Sequence, residues 1–245
     1  MKKGLLFTAA LLLLAVGAQA QSDTIYFMKK GLVVNKQSVK TTDVDTIVFN
    51  KPAFPFTDTR DGYVYKTVNI GGQIWMAENL RYLPSVNVLS SGTEPYYYVY
   101  GYKGTELSAA KETENYSIYG VLYNLPAALT ACPEGWHLPT LTEWNDLIDV
   151  LGGTSVAGPK LKEVGDAHWE SPNAGATNES GFTALPAGGY SGTGFSEIKS
   201  SGVWWIEPLP APETKGRTRI LTATSEFFSL SAVASAAFSI RCIQD

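Results

Sequence analysis

The sequence predicts an α+β domain. Three observations point there: a capped amphipathic helix that begins near Leu141, a shorter helical stretch from Tyr123 to Ala131, and many short β-rich runs parted by glycine and serine turns. Two helices near the middle of a chain, with short strands gathered around them, make an α+β domain.

The elements follow in order. Lys2-Lys3, the apolar run Leu5 to Val16 and the small-residue site Ala18-Gln19-Ala20 read as a secretory signal peptide over residues 1–20. That run is short for a membrane span, and no other approaches the length needed. No cysteine stands at the end of the run, so a lipoprotein attachment is not expected. Residues 21–52 form a small β-rich segment, in which Asp23-Thr24-Ile25-Tyr26-Phe27 and Asp45-Thr46-Ile47-Val48-Phe49 flank Gly31-Leu32-Val33-Val34-Asn35. A few-stranded meander fits this pattern, although such a piece is too small to be stable alone. Prolines 52 and 55 mark a stiff linker, placed at residues 53–57, and the main domain runs over 58–245.

Within the main domain, Tyr63 to Ile70 and Gln73 to Ala77 flank Gly71-Gly72, a two-residue hairpin turn that requires positive φ. Pro84 to Tyr116 is a long, polar, tyrosine-rich connection. If the run is a strand, Tyr96, Tyr98, Tyr100 and Tyr102 share one face of it. Pro126 is tolerable in the helix at 123–131 only near its first turn. Thr140 and Glu143 then make a capping box. Leu141, Trp144, Leu147, Ile148 and Leu151 fall on one helical face, and Gly152-Gly153 ends the helix. Gly158 to Leu161 adds a turn. Phe182 to Leu185, Phe195 to Ile198, Val203 to Ile206, Arg219 to Thr222 and Phe238 to Ile243 read as strands.

Composition narrows the function. The 245 residues carry 19 Lys and Arg against 23 Asp and Glu, a formal charge of −4 that becomes more negative once the signal peptide is removed. Without a basic cluster there is no footprint for nucleic acid. Hydrophobic residues make up 44% of the chain, enough for a packed core. Two cysteines, Cys132 and Cys242, stand in an exported chain. An oxidising compartment favours a disulfide, and two buried thiols are the alternative.

The stretch Ala131 to Ile148, ACPEGWHLPTLTEWNDLI, resembles a signature of the Fibrobacter succinogenes major paralogous domain, a secreted domain of Bacteroidetes. Further blocks match it in order: Asp61-Gly62 through Val68, Ile70-Gly71, Gln73-Ile74-Trp75-Met76-Ala77-Glu78-Asn79-Leu80, Tyr119 to Asn124, Gly181 to Gly188, and Phe238-Ser239-Ile240-Arg241-Cys242. The resemblance implies a C-type-lectin-like fold, of the variety shared with formylglycine-generating enzymes. In that fold both chain ends meet in one sheet, and a disulfide often staples a helix to the last strand. Trp75, Trp136, His137, Thr140, Glu143, Trp144 and Arg241 would then be structural signature residues.

Formylglycine-generating enzymes hold copper with two closely spaced cysteines near the C-terminus, since soft Cu(I) demands thiolates. Here Cys242 stands alone in that region, and residues 237–241 supply no second thiol. The sequence is therefore not read as an enzyme. His137, between Trp136 and Leu138, is expected to bury its ring and bond a backbone carbonyl, and His168 to lie in a loop. There is no nucleophile elbow, zinc-protease helix or phosphate loop. Trp144-Asn145-Asp146 has the letters of a calcium triplet but sits on the helix. Near Glu207-Pro208 the acids are few, so no cofactor is expected, with calcium as the alternative.

Binding candidates come from two places. Tyr96, Tyr98 and Tyr100 offer aromatic faces of the kind that dominate binding hot spots, with packing under a loop as the competing reading. The stretch from Glu207 to Ala237 departs from the family pattern, with Glu207, Glu213, Arg217, Arg219 and Phe228 set among prolines. Related lectin-like proteins display this late region to ligands. The resulting expectation is an exported, non-catalytic binding module in the periplasm, at the cell surface or outside the cell, with a glycan or protein ligand. A structural subunit of a surface appendage and an enzyme on the same fold are the alternatives.

Overall fold

The computed structural model describes residues 22–29, 32–40, 53–173, 175–208, 215–224 and 227–245. The chain divides into two compact units, Met1–Phe49 and Asn50–Asp245. In the first, β1 (Ser22–Lys29) and β2 (Leu32–Lys40) pair antiparallel, with a register shift between Phe27 and Met28. The expected signal peptide and the second Asp-Thr-Ile run lie outside the described residues.

The second unit is sheet-rich α+β. A short pair, β3 (Phe56–Thr57) with β4 (Val64–Tyr65), uses the end of the stretch read as linker. The hairpin of β5 (Thr67–Ile70) and β6 (Gln73–Met76) turns at Gly71 and Gly72, whose φ angles of 63° and 93° are those the sequence required. It continues into a four-stranded sheet of order β5-β6-β16-β9, where β9 is Trp136–His137 and β16 is Ile243–Gln244. The opening hairpin and the closing strand therefore share a sheet, with Ile243 opposite Trp75.

A five-stranded sheet of order β11-β10-β15-β8-β7 joins Phe195–Ile198 (β11), Ala187–Tyr190 (β10), Ala237–Phe238 (β15), Leu122–Asn124 (β8) and Tyr97–Tyr98 (β7). A third sheet holds β12 (Ser201–Ile206), β13 (Gly216–Thr222) and β14 (Phe227–Ala232) in that order, all antiparallel.

Five helices are found among the described residues, where the sequence predicted two. Leu107–Lys111 (α1) and Glu114–Tyr119 (α2) occupy the end of the connection read as irregular; Thr113 caps α2 by accepting from the Tyr116 N–H. Leu125–Ala131 (α3) starts with the Asn124 side chain accepting from Ala127, and Pro126 sits in its first turn. In Leu141–Val150 (α4) both halves of the Thr140–Glu143 capping box are present. The expected turn at 158–161 is the end of a longer helix, α5 (Thr154–Leu161).

Three strand readings need correction. The tyrosine run is extended only at Tyr97–Tyr98, so the four alternate tyrosines do not form one strand face. Phe182 to Leu185 is not a strand. Thr183 has φ of 53°, a left-handed conformation that breaks extended pairing, and the only ladder contact there is the isolated Lys162–Ala184 bridge. Phe238 to Ile243 is two strands, because the chain leaves the five-stranded sheet at Phe238 and joins the four-stranded one at Ile243. Between them, Ile240 and Cys242 carbonyls accept from the Leu80 and Met76 N–H groups.

The core is aromatic. Trp75, Trp144 and Phe182 cluster with ring centroids 4.9 to 5.9 Å apart, and Trp204 lies 6.1 Å from both Trp144 and Phe182. Trp136 and Trp205 are buried in a neighbouring cluster. The indole N–H of Trp204 reaches Asn79 at 2.9 Å, that of Trp205 the Tyr123 carbonyl at 2.6 Å, and that of Trp169 the Ala184 carbonyl at 2.9 Å. Burial of Trp204, Trp205 and Trp169 is compatible with their polar handles because each of these three N–H groups has an acceptor.

Candidate functional site

One side chain organises the region where the three sheets approach. Arg241 is fully buried and none of its hydrogen bonds goes to a carboxylate. Its Nε donates to Asn79 Oδ1 at 2.8 Å, Nη1 to the Met76 and Phe182 carbonyls, and Nη2 to the Thr183 carbonyl at 2.7 Å. The guanidinium also lies 4.4 Å from the Phe182 ring centroid. Burial pushes its pKa down to about 9, opposed only by the charge of Glu78. Its planar fork ties β6 to the 182–183 turn, a job that a single-point lysine amine cannot do.

That turn is held from its other side by Asn178. The Asn178 Oδ1 accepts from the Thr183 N–H at 2.8 Å, and its Nδ2 donates to Thr183 Oγ1 at 2.9 Å. Asn178 itself has φ of 50°. Two non-glycine residues are thus kept in a sparsely populated conformation by surrounding bonds. Such backbone strain is commonly found at clamps and binding sites.

The turn forms one wall of an open cleft of about 490 Å³. Lys66, Thr67 and Val68 of β5, Ala77 and Glu78 after β6, and Thr183 and Leu185 line it, with Pro55 and Gly181. Glu78 is fixed in place: Oε1 accepts from the Lys66 N–H at 2.9 Å, and Oε2 accepts from the Tyr63 hydroxyl at 2.8 Å and Arg81 Nη2 at 3.2 Å. Burial, and then the bond to Glu78, push the Tyr63 phenol up to about 12, so it remains a donor. The cleft therefore offers a partly apolar floor with a fixed carboxylate, an ammonium and two hydroxyls at its edge. That combination can orient a polar, hydroxyl-rich group.

The signature string builds a separate clasp. Cys132, at the C-cap of α3, is disulfide-bonded to Cys242, just before β16. His137 does not bury its ring against a backbone carbonyl as expected. It is half-exposed and lies between two carboxylates, with Nδ1 2.6 Å from Asp245 Oδ1 and Nε2 2.9 Å from Glu143 Oε1. The strand register explains the difference: pairing of β9 with β16 sets the ring beside Asp245, and the capping box turns Glu143 back toward it. Burial lowers the His137 pKa, but the bonds to Asp245 and Glu143 outweigh it and the net shift is upward. His168 lies in a loop, as expected, 2.8 Å from Glu163 Oε2. Among the described residues, no group of three or more His, Cys, Asp or Glu side chains is placed to hold a metal ion.

The other sequence-picked binding candidates are not brought together. Tyr98 is buried, donates its hydroxyl to the Leu89 carbonyl at 2.6 Å, and stacks on Tyr190 at 4.5 Å. Tyr96 and Tyr100 are half-buried against the same cluster, and Tyr100 packs on Phe195 at 5.1 Å. Of these three only Tyr98 lies in the five-stranded sheet, on β7, whereas Arg217, Arg219 and Phe228 lie in the three-stranded one. Arg219 is not displayed: it is buried and donates to Asn145 on α4, and burial lowers its pKa. Arg217 is half-buried on β13, Glu207 and Phe228 are exposed, and Glu213 lies outside the described residues.

Sequence reasoning did not single out Lys66, Glu78, Asn178 or Thr183 as site residues. The family blocks that hold Lys66, Glu78 and Thr183 were the available signal, and Phe182 to Leu185 was read as a strand. A threonine in left-handed conformation has no sequence signature, because a β-branched residue there is an outlier.

A family model for the Fibrobacter succinogenes major domain matches residues 68–244. The match spans well over half of the chain, and the protein belongs to that family. No curated protein and no solved structure matches it.

Proposed function

We propose that this protein is an exported, non-catalytic binding module on a lectin-like scaffold, recognising glycan or protein ligands at the cell surface through the cleft beside β5. The observation that carries the reading is the cleft itself, a concavity of about 490 Å³ walled by the strained 182–183 turn. Its size lies within the range of small-ligand sites, and its carboxylate and two hydroxyls are held in place by other bonds. The lectin-like assignment draws support from the meeting of opening and closing strands in one sheet and from a disulfide that joins a helix end to the last strand. The non-catalytic reading draws on both sulfurs being bound to each other, which leaves neither as a nucleophile. Export draws on the leader-like first twenty residues.

The test is a glycan array and a cell-surface pull-down with the wild type, Lys66→Trp and Thr183→Ala. Lys66 is exposed at the cleft edge, so Lys66→Trp fills the cleft without entering the core. The expected result is a ligand bound by the wild type and weakened at least tenfold, about 1.4 kcal/mol, by Lys66→Trp, with an unchanged melting curve. Binding that survives both substitutions would place the ligand elsewhere and overturn the assignment of the cleft.

A further inference from the structure

The three-stranded sheet ends in a strand that buries very little. All six residues of β12 are buried, and β13 is buried at Gly216, Thr218, Arg219 and Leu221. On β14, residues 228 to 231 are all exposed, with Phe228 at 38% and Leu230 at 55%. Yet β14 pairs with β13 along its whole length, from Phe227 opposite Leu221 to Ala232 opposite Gly216, without a bulge. Among the described residues no strand pairs with its outer side. Helix α5 contributes Ala157 and Leu161 to the core cluster that holds Leu221, on the sheet face opposite to Phe228 and Leu230.

Edge strands are normally protected by charge, proline, a bulge or brevity, because an open ladder recruits other strands. The sequence Phe-Phe-Ser-Leu-Ser-Ala of β14 has none of these protections. It is also self-complementary. If two copies meet antiparallel about a twofold axis through Ser229, Phe228 of each copy stands opposite Leu230 of the other. Side chains in register share a sheet face, so two apolar cross-strand pairs form on the face where both residues are now exposed. A register centred on Phe228 would leave Leu230 without an apolar partner, and one centred on Leu230 would set Phe228 against only the small Ala232.

We propose that β14 is a homodimerisation edge, and that two copies of this chain join their three-stranded sheets into one continuous six-stranded sheet centred on Ser229. The contact is isologous and closes on itself, so it yields dimers rather than filaments. It does not depend on the cleft beside β5, but it would present two such clefts on one particle and raise the avidity for a repeated ligand.

The experiment uses the exported full-length chain with its native disulfide. Sedimentation velocity over a concentration series is expected to show a monomer–dimer equilibrium. Leu230→Lys, at an exposed position, is expected to weaken the dimer at least about tenfold while leaving the melting curve unchanged; Val233→Lys, equally exposed but beyond the strand, is expected to leave it intact. As a register test, Ser229→Cys is expected to give a covalent dimer on non-reducing gels, and Ser231→Cys is expected not to cross-link to itself. A chain that stays monomeric at every concentration, or a dimer indifferent to Leu230→Lys, overturns the proposal. Cross-linking through Ser231→Cys but not Ser229→Cys overturns the register and with it the proposed pairing. Capture of some other extended segment by a monomeric chain would likewise refute it.

Discussion

Two buried cations show how differently this fold treats charge at the scale of one residue. Arg241 is surrounded by oxygen acceptors and its bonds close the turn that walls the cleft. Lys162 is also buried, but its amine donates to the Ala223 carbonyl at 2.7 Å and lies 5.2 Å from the Trp169 ring. No ion pair involves it among the described residues. Burial pushes its pKa down to about 8. A lysine that titrates lower in the folded chain than in the unfolded one opposes folding while the unfolded amine is charged. The penalty is full below about pH 8 and fades as pH rises toward the unfolded value of about 10.4. Lys162→Met keeps the volume and removes the charge. At pH 7 it is expected to raise stability by about 1–2 kcal/mol in urea melts, with the gain shrinking by about pH 10. A variant less stable than the wild type at pH 7 would mean that the bond to Ala223 outweighs desolvation.

At the scale of elements, the readable features are those encoded by neighbouring residues. The capping box of α4 and the Gly71-Gly72 turn each follow from short-range chemistry, and each was legible; the start of α3, read at Tyr123, falls at Leu125 behind the Asn124 cap, because Leu122 to Asn124 are drawn into β8. The misread elements depend on distant partners. Phe182 to Leu185 has the composition of a strand, but Asn178 and Arg241 bend it into a turn. The tyrosine run alternates like a strand, yet only Tyr97–Tyr98 finds β8 to pair with. Gly188 in β10 tests how tightly such pairing is set. Its φ is 61°, and a Cβ there would stand 2.2 Å from the Ser196 carbonyl oxygen and 2.6 Å from the Ile198 nitrogen. Backbone on β11 cannot yield as a flexible side chain can. Gly188→Ala is expected to cost about 2–4 kcal/mol, through both strain and forced separation of β10 from β11. Gly194→Ala, where an added Cβ meets nothing, is expected to stay within about 0.5 kcal/mol. Equal urea midpoints for the two variants would show that the hairpin relaxes freely.

For the whole molecule, the family and the α+β class were legible because six motif blocks in order survive any local misreading. The cleft was not, because Glu78 and Thr183 stand more than a hundred positions apart in the sequence, and the Arg241 bonds that tie Met76 and Asn79 to Phe182 and Thr183 come from nearly the chain's end. A fold built from such distant pairings has a high loop-closure cost. The disulfide acts on that cost directly. It closes a span of 110 residues between the end of α3 and the approach to β16. On chain entropy alone such a loop contributes about 3–5 kcal/mol, mostly by restricting the unfolded chain. The double variant Cys132→Ala, Cys242→Ala is expected to lose about that much in urea melts. Because an uncrosslinked unfolded chain is more expanded, the slope m is expected to rise as the midpoint falls. A falling midpoint with an unchanged m would locate the loss in the packing around the buried Cys242, and an unchanged midpoint would show that the Ile243–Trp75 pairing and the Asp245–His137–Glu143 contacts hold the closing strand without the covalent link.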